Sequence, residues 1–136
     1  MEQKKEYNLE ERLTNFAVNC IHVAESLPNS FAGNHLAGQL TRSGSAPALH
    51  YGEAQGAESA KDFIHKMKVA LKELRETKNC LSIILKLNWN LKADIKNAHC
   101  ESVELIRIFF KSISTAENNR RTEEQRNRGM FKGRSS

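Results

Sequence analysis

Proline and paired cysteine are both scarce in this chain of 136 residues. Only Pro28 and Pro47 occur, and proline stops a helix, so the segment Leu27-Pro28-Asn29-Ser30 predicts one helix end. The three cysteines, Cys20, Cys80 and Cys100, stand far apart with no CxxC spacing. An odd count without close pairs argues against a disulfide framework and indicates reduced thiols in a reducing compartment.

Long apolar runs are also missing. The N-terminal stretch MEQKKEYNLEERL has none that could serve as a signal peptide, and the runs elsewhere are only a few residues long. Spanning a bilayer takes about 20 apolar residues. The sequence therefore predicts a cytoplasmic protein with no membrane partner.

Positive charge is in excess. The formal net charge is +5, and residues 117–136 hold six Lys and Arg against three Glu. Such a balance favours acidic partners, nucleic acid among them. Because this segment has too few large apolar residues to offset the entropy of ordering it, we expect one domain at 1–116 and a disordered basic arm at 117–136.

Helical spacing dominates the rest of the chain. Apolar residues repeat at alternating steps of four and three, which places them on one face of a helix. The turn Asn88-Trp89-Asn90 separates the last two helices, with Asn90 as the expected cap of a helix beginning at Leu91. We call each such apolar face a seam. The predicted seams are, on the first helix, Leu13, Phe16, Cys20, Val23 and Leu27; on the third, Phe63, Met67, Ala70, Leu74, Thr77, Leu81 and Ile84; and on the fourth, Ile95, Ala98, Ser102, Leu105 and Phe109.

The stretch RSGSAPALHYGEAQGAESA, residues 42–60, has the composition of a loop, but its small residues follow a helical period. Gly44, Ala48, Gly52, Gly56 and Ala60 recur every four residues, which predicts a ridge for close helix packing. We expect a second helix from about 30 to about 57, bent at Pro47, with Gly52 at a close helix crossing. Ser59 is the expected cap of the third helix, with Asp62 three residues on.

The segment from Gln39 to Thr77 resembles the core signature of the four-helix-bundle proteins of 23S ribosomal RNA intervening sequences. His50 and Ala54 depart from that signature, and the arm lies outside the resemblance, which spans about residues 9–115. The matching residues are Gln39, Leu40, Arg42, Ser43, Glu53, Gln55, Gly56, Lys61, Asp62, Phe63, Ile64, Leu74, Arg75 and Glu76.

The resemblance implies an all-α, antiparallel up-down four-helix bundle that assembles as a ring, most often a pentamer. It also implies kinship with the accessory variability determinant proteins of bacterial diversity-generating retroelements, which bind nucleic acid and partner a reverse transcriptase. The family has no established enzymatic activity, so neither catalytic residues nor cofactors are expected.

A basic stripe is expected on the third helix, opposite its apolar seam, over more than about 35 Å. Its spacing suits a phosphate backbone, and an ordinary solvated face partly neutralised by Asp62, Glu73 and Glu76 is the alternative. The candidate nucleic-acid contacts on the stripe and the arm are Lys61, Lys68, Lys72, Arg75, Lys86, Arg120, Arg121, Arg126 and Arg128.

The fourth helix carries a second apolar stripe beside its seam, formed by Val103, Ile106, Phe110 and Ile113. One helix of a small bundle rarely needs two stripes for its own core, so we expect this one to contact another subunit.

Catalytic patterns are weak. Di-iron bundles repeat Glu-x-x-His on two helices, whereas here Asp62 and His65 have that spacing once and His50 and Glu53 have it reversed. Arg42 and Glu53 share a helix face but are too far apart to pair with each other, so each is expected to pair with a neighbouring helix or subunit. The sequence thus favours a nucleic-acid-binding accessory protein over an enzyme. A protein-only assembly module, whose charge serves solubility, is the alternative.

Overall fold

The computed structural model describes residues 8–135, and side chains over 8–129. Four helices make up an all-α bundle, as the sequence predicts, and no strand occurs in the described range. In chain order they are α1 (Leu9–Ser26), α2 (Phe31–Gln55), α3 (Ala60–Leu87) and α4 (Ile95–Ser135).

Consecutive helices run antiparallel. Between α2 and α3, the Leu36 carbonyl accepts a hydrogen bond from the Cys80 thiol, and Arg42 donates to Glu73. A later residue of α2 thus contacts an earlier residue of α3, as in an antiparallel pair. The order is the same between α3 and α4, where Ser82 meets His99 and Lys68 meets Glu117. A bidentate ion pair between Arg12 and Glu101, with Nε–Oε2 at 2.6 Å, joins α1 to α4 and closes the bundle.

Side-chain caps set the helix starts. Ser30 accepts from the Gly33 amide and Ser59 from the Asp62 amide, and the cap at Ser59 is a confirmed prediction. The predicted start of α4, with Asn90 as its cap, is wrong. The Asp94 side chain accepts from the Asn97 amide, and α4 begins at Ile95. Asn90 instead has a left-handed backbone (φ 54°), which asparagine tolerates and which keeps this residue out of the helix.

The buried core follows the predicted seams except at three end positions, since Leu27, Phe63 and Ile95 are only half-buried. On α3 the first core position is Ile64 and not Phe63, which is only half-buried. Thr77 is fully buried, and its hydroxyl donates to the Glu73 carbonyl, which satisfies the one polar group of that seam. The seam residues that the structure buries are Leu13, Phe16, Cys20, Val23, Met67, Ala70, Leu74, Thr77, Leu81, Ile84, Ala98, Ser102, Leu105 and Phe109.

The small-residue ridge of α2 makes one close crossing, at Gly44 and not at Gly52. A Cβ at Gly44 would lie 2.6 Å from Cys20 Cβ on α1, closer than real side chains approach. A Cβ at Gly52 would meet nothing within 4 Å, so the predicted crossing there is wrong. The four-residue period placed Gly52 on the correct helix but could not tell which part of the ridge faces α1.

The arm is helical where the structure describes it. The sequence predicts disorder from residue 117, whereas α4 continues through Ser135. Its side chains from 121 to 129 are exposed, so this part of α4 projects past the core. Polar residues with good helix propensity can extend an existing helix without a core, because nucleation has already taken place. We call residues 117–129 the α4 extension.

Candidate nucleic-acid interface

The basic stripe lies on the outer face of α3. Its charged residues are all exposed, because they lie about 200° around the helix from the buried seam. Ser82 is the exception on this face: it is half-buried and hydrogen-bonds to His99 of α4 at 3.0 Å. The exposed cations are Lys61, Lys68, Lys72, Arg75 and Lys86.

The carboxylates beside the stripe are held by other cations. Asp62 pairs with Lys66 at 3.0 Å, one turn along α3. Glu73 and Glu76 both bind Arg42 of α2, with Arg42 Nη2 at 2.8 Å from Glu76 Oε1 and Nη1 at 3.2 Å from Glu73 Oε1. These carboxylates are therefore turned toward α2, away from the stripe.

As a result, most of the stripe has no counter-charge of its own. Among residues 8–129, Lys61, Lys72, Arg75 and Lys86 form no ion pair. Lys68 does: its Nζ lies 2.9 Å from Glu117 Oε2 on the α4 extension. Uncompensated exposed cations attract anions most strongly at low salt, where screening is weakest.

A cleft of about 360 Å³ opens between the start of α3 and the α4 extension, and it brings the two predicted basic elements together. Lys61 and Lys68 line one wall, and Arg120 and Arg121 line the other. Two carboxylates share the cleft: Glu117, which holds Lys68, and Glu124, which lies 3.5 Å from Arg120. His65 and Ile64 complete the lining. We call this the basic cleft.

The remaining predicted contacts lie away from the cleft. Lys72, Arg75 and Lys86 continue along α3 beyond it, and Arg126 and Arg128 are exposed further along the α4 extension. The predicted residues thus form a stripe and a projecting helix that meet at one place.

Sequence reasoning missed both carboxylates of the cleft. The sequence places Glu117 and Glu124 in a basic arm that is expected to be disordered, and a disordered arm offers no fixed partner for Lys68. Their spacing of seven residues is a signal that could have found them, because it places both on one face of a continuing helix.

The prediction that Arg42 pairs with another helix is confirmed, and the same prediction for Glu53 is wrong. Arg42 pairs with a neighbouring helix, as expected for a residue too far from Glu53 to bridge it. Glu53 instead pairs within α2, where its Oε1 lies 3.1 Å from His50 Nδ1. A partner three residues away is the simplest available on a helix surface.

The second apolar stripe of α4 needs one correction. Ile113 is only 5% exposed and belongs to the core of its own protomer, because it lies four residues after buried Phe109. Val103 and Ile106 are half-buried, and Ile106 packs against the core. Phe110 is the exposed member, with 59% of its surface accessible.

Metal binding, cysteine reactivity and membrane crossing can each be compared with the geometry. Among the described residues, no three His, Cys, Asp or Glu side chains cluster closely enough to bind a metal ion. Burial, with a smaller contribution from Cys80, raises the pKa of the Cys20 thiol to about 12, so that thiol is neutral and a poor nucleophile near pH 7. None of the described helices combines the length and the apolar character that crossing a bilayer requires.

Two comparisons with known proteins find relatives. The family model described as "23S rRNA-intervening sequence protein" matches residues 5–111. The chain is also similar to a crystal structure of a protein with unknown function from the S23 ribosomal protein family of Bacteroides thetaiotaomicron, with 26% identity and a TM-score of 0.69, over 76% of this chain and 96% of that chain. No curated protein matches. The α4 extension lies beyond the family match.

Proposed function

This chain belongs to the 23S rRNA-intervening sequence protein family, and we propose that it is a non-enzymatic, nucleic-acid-binding accessory protein that works as a ring of identical subunits. The observation that carries the proposal is the stripe on α3, whose flanking carboxylates are bound by Arg42 and Lys66. The stripe runs about 37 Å along the helix, the length of several phosphate repeats. The family name points to ribosomal RNA, so RNA is the first nucleic acid to test.

Binding by the stripe rests on charge and not on base edges, so it should depend weakly on sequence and strongly on salt. The slope of log K against log salt should be about −0.7 per phosphate contact for single strands and about −0.9 for duplex DNA. Fluorescence anisotropy with labelled RNA and DNA across a salt series measures both. An absence of binding at about 50 mM salt would contradict the proposal and leave the protein-only assembly module as the function.

Removing the α4 extension should weaken binding. Deleting the chain after Ala116 removes Arg120, Arg121, Arg126 and Arg128, so affinity should fall and the salt slope should flatten by about one unit per lost phosphate contact. Thermal unfolding is the control, and its midpoint should hardly move because residues 121–129 are exposed in the protomer. Equal salt slopes for the full and shortened chains would exclude the extension from the interface.

The ring is proposed to contain five subunits, on the resemblance described above. Light scattering at micromolar concentration should then give about five times the chain mass of 15.4 kDa. Phe110→Lys should lower that mass without unfolding the chain, because Phe110 is exposed in the protomer. Phe31→Lys is the matched control, since Phe31 is 94% exposed on a different helix. A monomer mass for the unaltered protein would rule out the ring.

A reverse transcriptase is the proposed protein partner, and this part rests on the resemblance alone. The test is whether a reverse transcriptase gene lies beside the gene for this protein and whether the two products co-purify. A gene neighbourhood without a reverse transcriptase would remove this partner and leave the nucleic-acid proposal standing.

A further inference from the structure

We propose that the basic cleft binds one phosphate group, and that the Glu117 carboxylate occupies the phosphate position at Lys68 while the cleft is empty of ligand. The inference rests on the proposed nucleic-acid function and adds its mechanism. The phosphate donor is a nucleic-acid backbone, and free inorganic phosphate shares its chemistry.

Cations from two helices converge on this cleft. Lys61 and Lys68 come from the first turns of α3, and Arg120 and Arg121 from the α4 extension. Lys and Arg side chains from two directions can surround a phosphate in a way that one exposed helix face cannot.

The net charge of the residues that line the cleft is positive, which favours an anion. Four cations face Glu117 and Glu124, so the lining keeps a net charge of +2 with His65 neutral. A volume of about 360 Å³ admits a phosphate together with part of its nucleotide. A further anion is therefore accommodated even with both glutamates in place, and better when one of them moves away.

A phosphate group can displace the Glu117 carboxylate from Lys68. Glu117 lies 2.9 Å from Lys68 Nζ, but the two side chains keep 40% and 54% of their surface exposed. Ion pairs this exposed are weak, so a phosphate can replace the carboxylate without disturbing the fold. Glu117 thus acts as an internal competitor, which lowers the affinity of the cleft for phosphate.

The test is Glu117→Gln, with Glu123→Gln as the matched control. Both changes remove one negative charge from the α4 extension, but Glu123 lines a different surface with Asn119, Thr122 and Arg126. Anisotropy with a short labelled RNA at low salt should show about two- to fivefold tighter binding for Glu117→Gln, the range expected for release of an exposed ion pair. Equal gains for the two variants would mean that net charge alone matters, and would overturn the proposal.

A second comparison shows whether the gain acts through Lys68. In a Lys68→Gln background the ion pair no longer exists, so Glu117→Gln should gain no more than Glu123→Gln does. A full gain in that background would overturn the role of Glu117 as a competitor at Lys68. Thermal unfolding of each variant is the control for folding.

Inorganic phosphate separates this inference from the function on which it rests. Titrating phosphate into the protein should shift the backbone amide NMR signals of residues 61–68 and 117–124, and more so in Glu117→Gln. If phosphate shifts these signals but RNA and DNA do not bind, the cleft stands and the nucleic-acid function falls. If nucleic acid binds while phosphate leaves these signals unchanged, the cleft falls and the stripe alone carries the function.

Discussion

Reversing Lys68, Lys72 and Arg75 to Glu should abolish nucleic-acid binding. The three side chains are exposed and adjacent on the stripe, so the change removes three attractions to phosphate and introduces three repulsions. We expect affinity to fall by about 100-fold or more at low salt, because binding of this kind is almost entirely electrostatic. Fluorescence anisotropy with the same RNA and DNA measures the loss.

The matched control is Lys92, Lys96 and Lys111 reversed to Glu. These lysines are also exposed and lie before and along α4, so they are not part of the stripe, and the net charge changes by the same amount. If long-range charge alone governed binding, the two triple variants would lose affinity equally, and the stripe would have no special role. Light scattering and thermal unfolding should be unchanged for both variants, because none of these side chains is buried.

In the proposed ring, several copies of the stripe would act together. One helix face offers only a few phosphate contacts, and each contact is weak at physiological salt. A ring that presents the same face several times converts weak contacts into avidity, provided that one nucleic acid reaches more than one subunit. Binding should therefore depend on oligomeric state, and Phe110→Lys should weaken it to the extent that it lowers the mass.

Helix periodicity could be predicted from the sequence because it depends on local spacing alone. The buried seams of α1, α3 and α4 follow the four-three alternation, and Ser59 caps α3 because a serine lies one residue before it. The same logic placed the basic stripe on the outer face of α3, where all its cations are exposed.

Features that depend on the neighbour of a helix could not be predicted in this way. The spacing of four residues puts Ile113 in line with Phe109, but only the packing of α4 beyond Phe109 decides that Ile113 is buried while Phe110 is exposed. The sequence leaves open that Glu73 and Glu76 partly neutralise the stripe, but Arg42 of α2 binds both. The partner of each side chain depends on how two helices pack against each other, and the spacing of residues within one helix carries no information about that packing.

Gly44 and Gly52 show the same limit most sharply, and they give the prediction with the largest expected effect on stability. Both glycines lie inside α2, where each costs about 1 kcal/mol relative to alanine. Only Gly44 has a packing reason, because Cys20 Cβ and Sγ lie 2.6 Å and 2.9 Å from the position of a Cβ there. A stripe of small residues in the sequence thus contains one position under packing constraint and one without it.

Gly44→Leu should lower the free energy of unfolding by about 3 kcal/mol or more, since a side chain there must push α1 away from α2. Gly52→Leu should instead raise it by up to about 1 kcal/mol, because leucine favours the helix and meets nothing in the protomer. Gly44→Ala keeps the comparison measurable if the leucine variant does not fold, and it should cost about 1–3 kcal/mol. Urea unfolding at equal protein concentration gives all three values.

Opposite signs for the two glycines are what the structure requires, and equal destabilisation would place Gly52 at a second crossing. Light scattering tests whether Gly52 contacts another subunit. In that case Gly52→Leu would lower the oligomer mass without destabilising the protomer. If Gly44→Ala were as stable as the unaltered chain, α1 and α2 would not approach each other at Cys20. The position of α1 against α2 would then have to be revised.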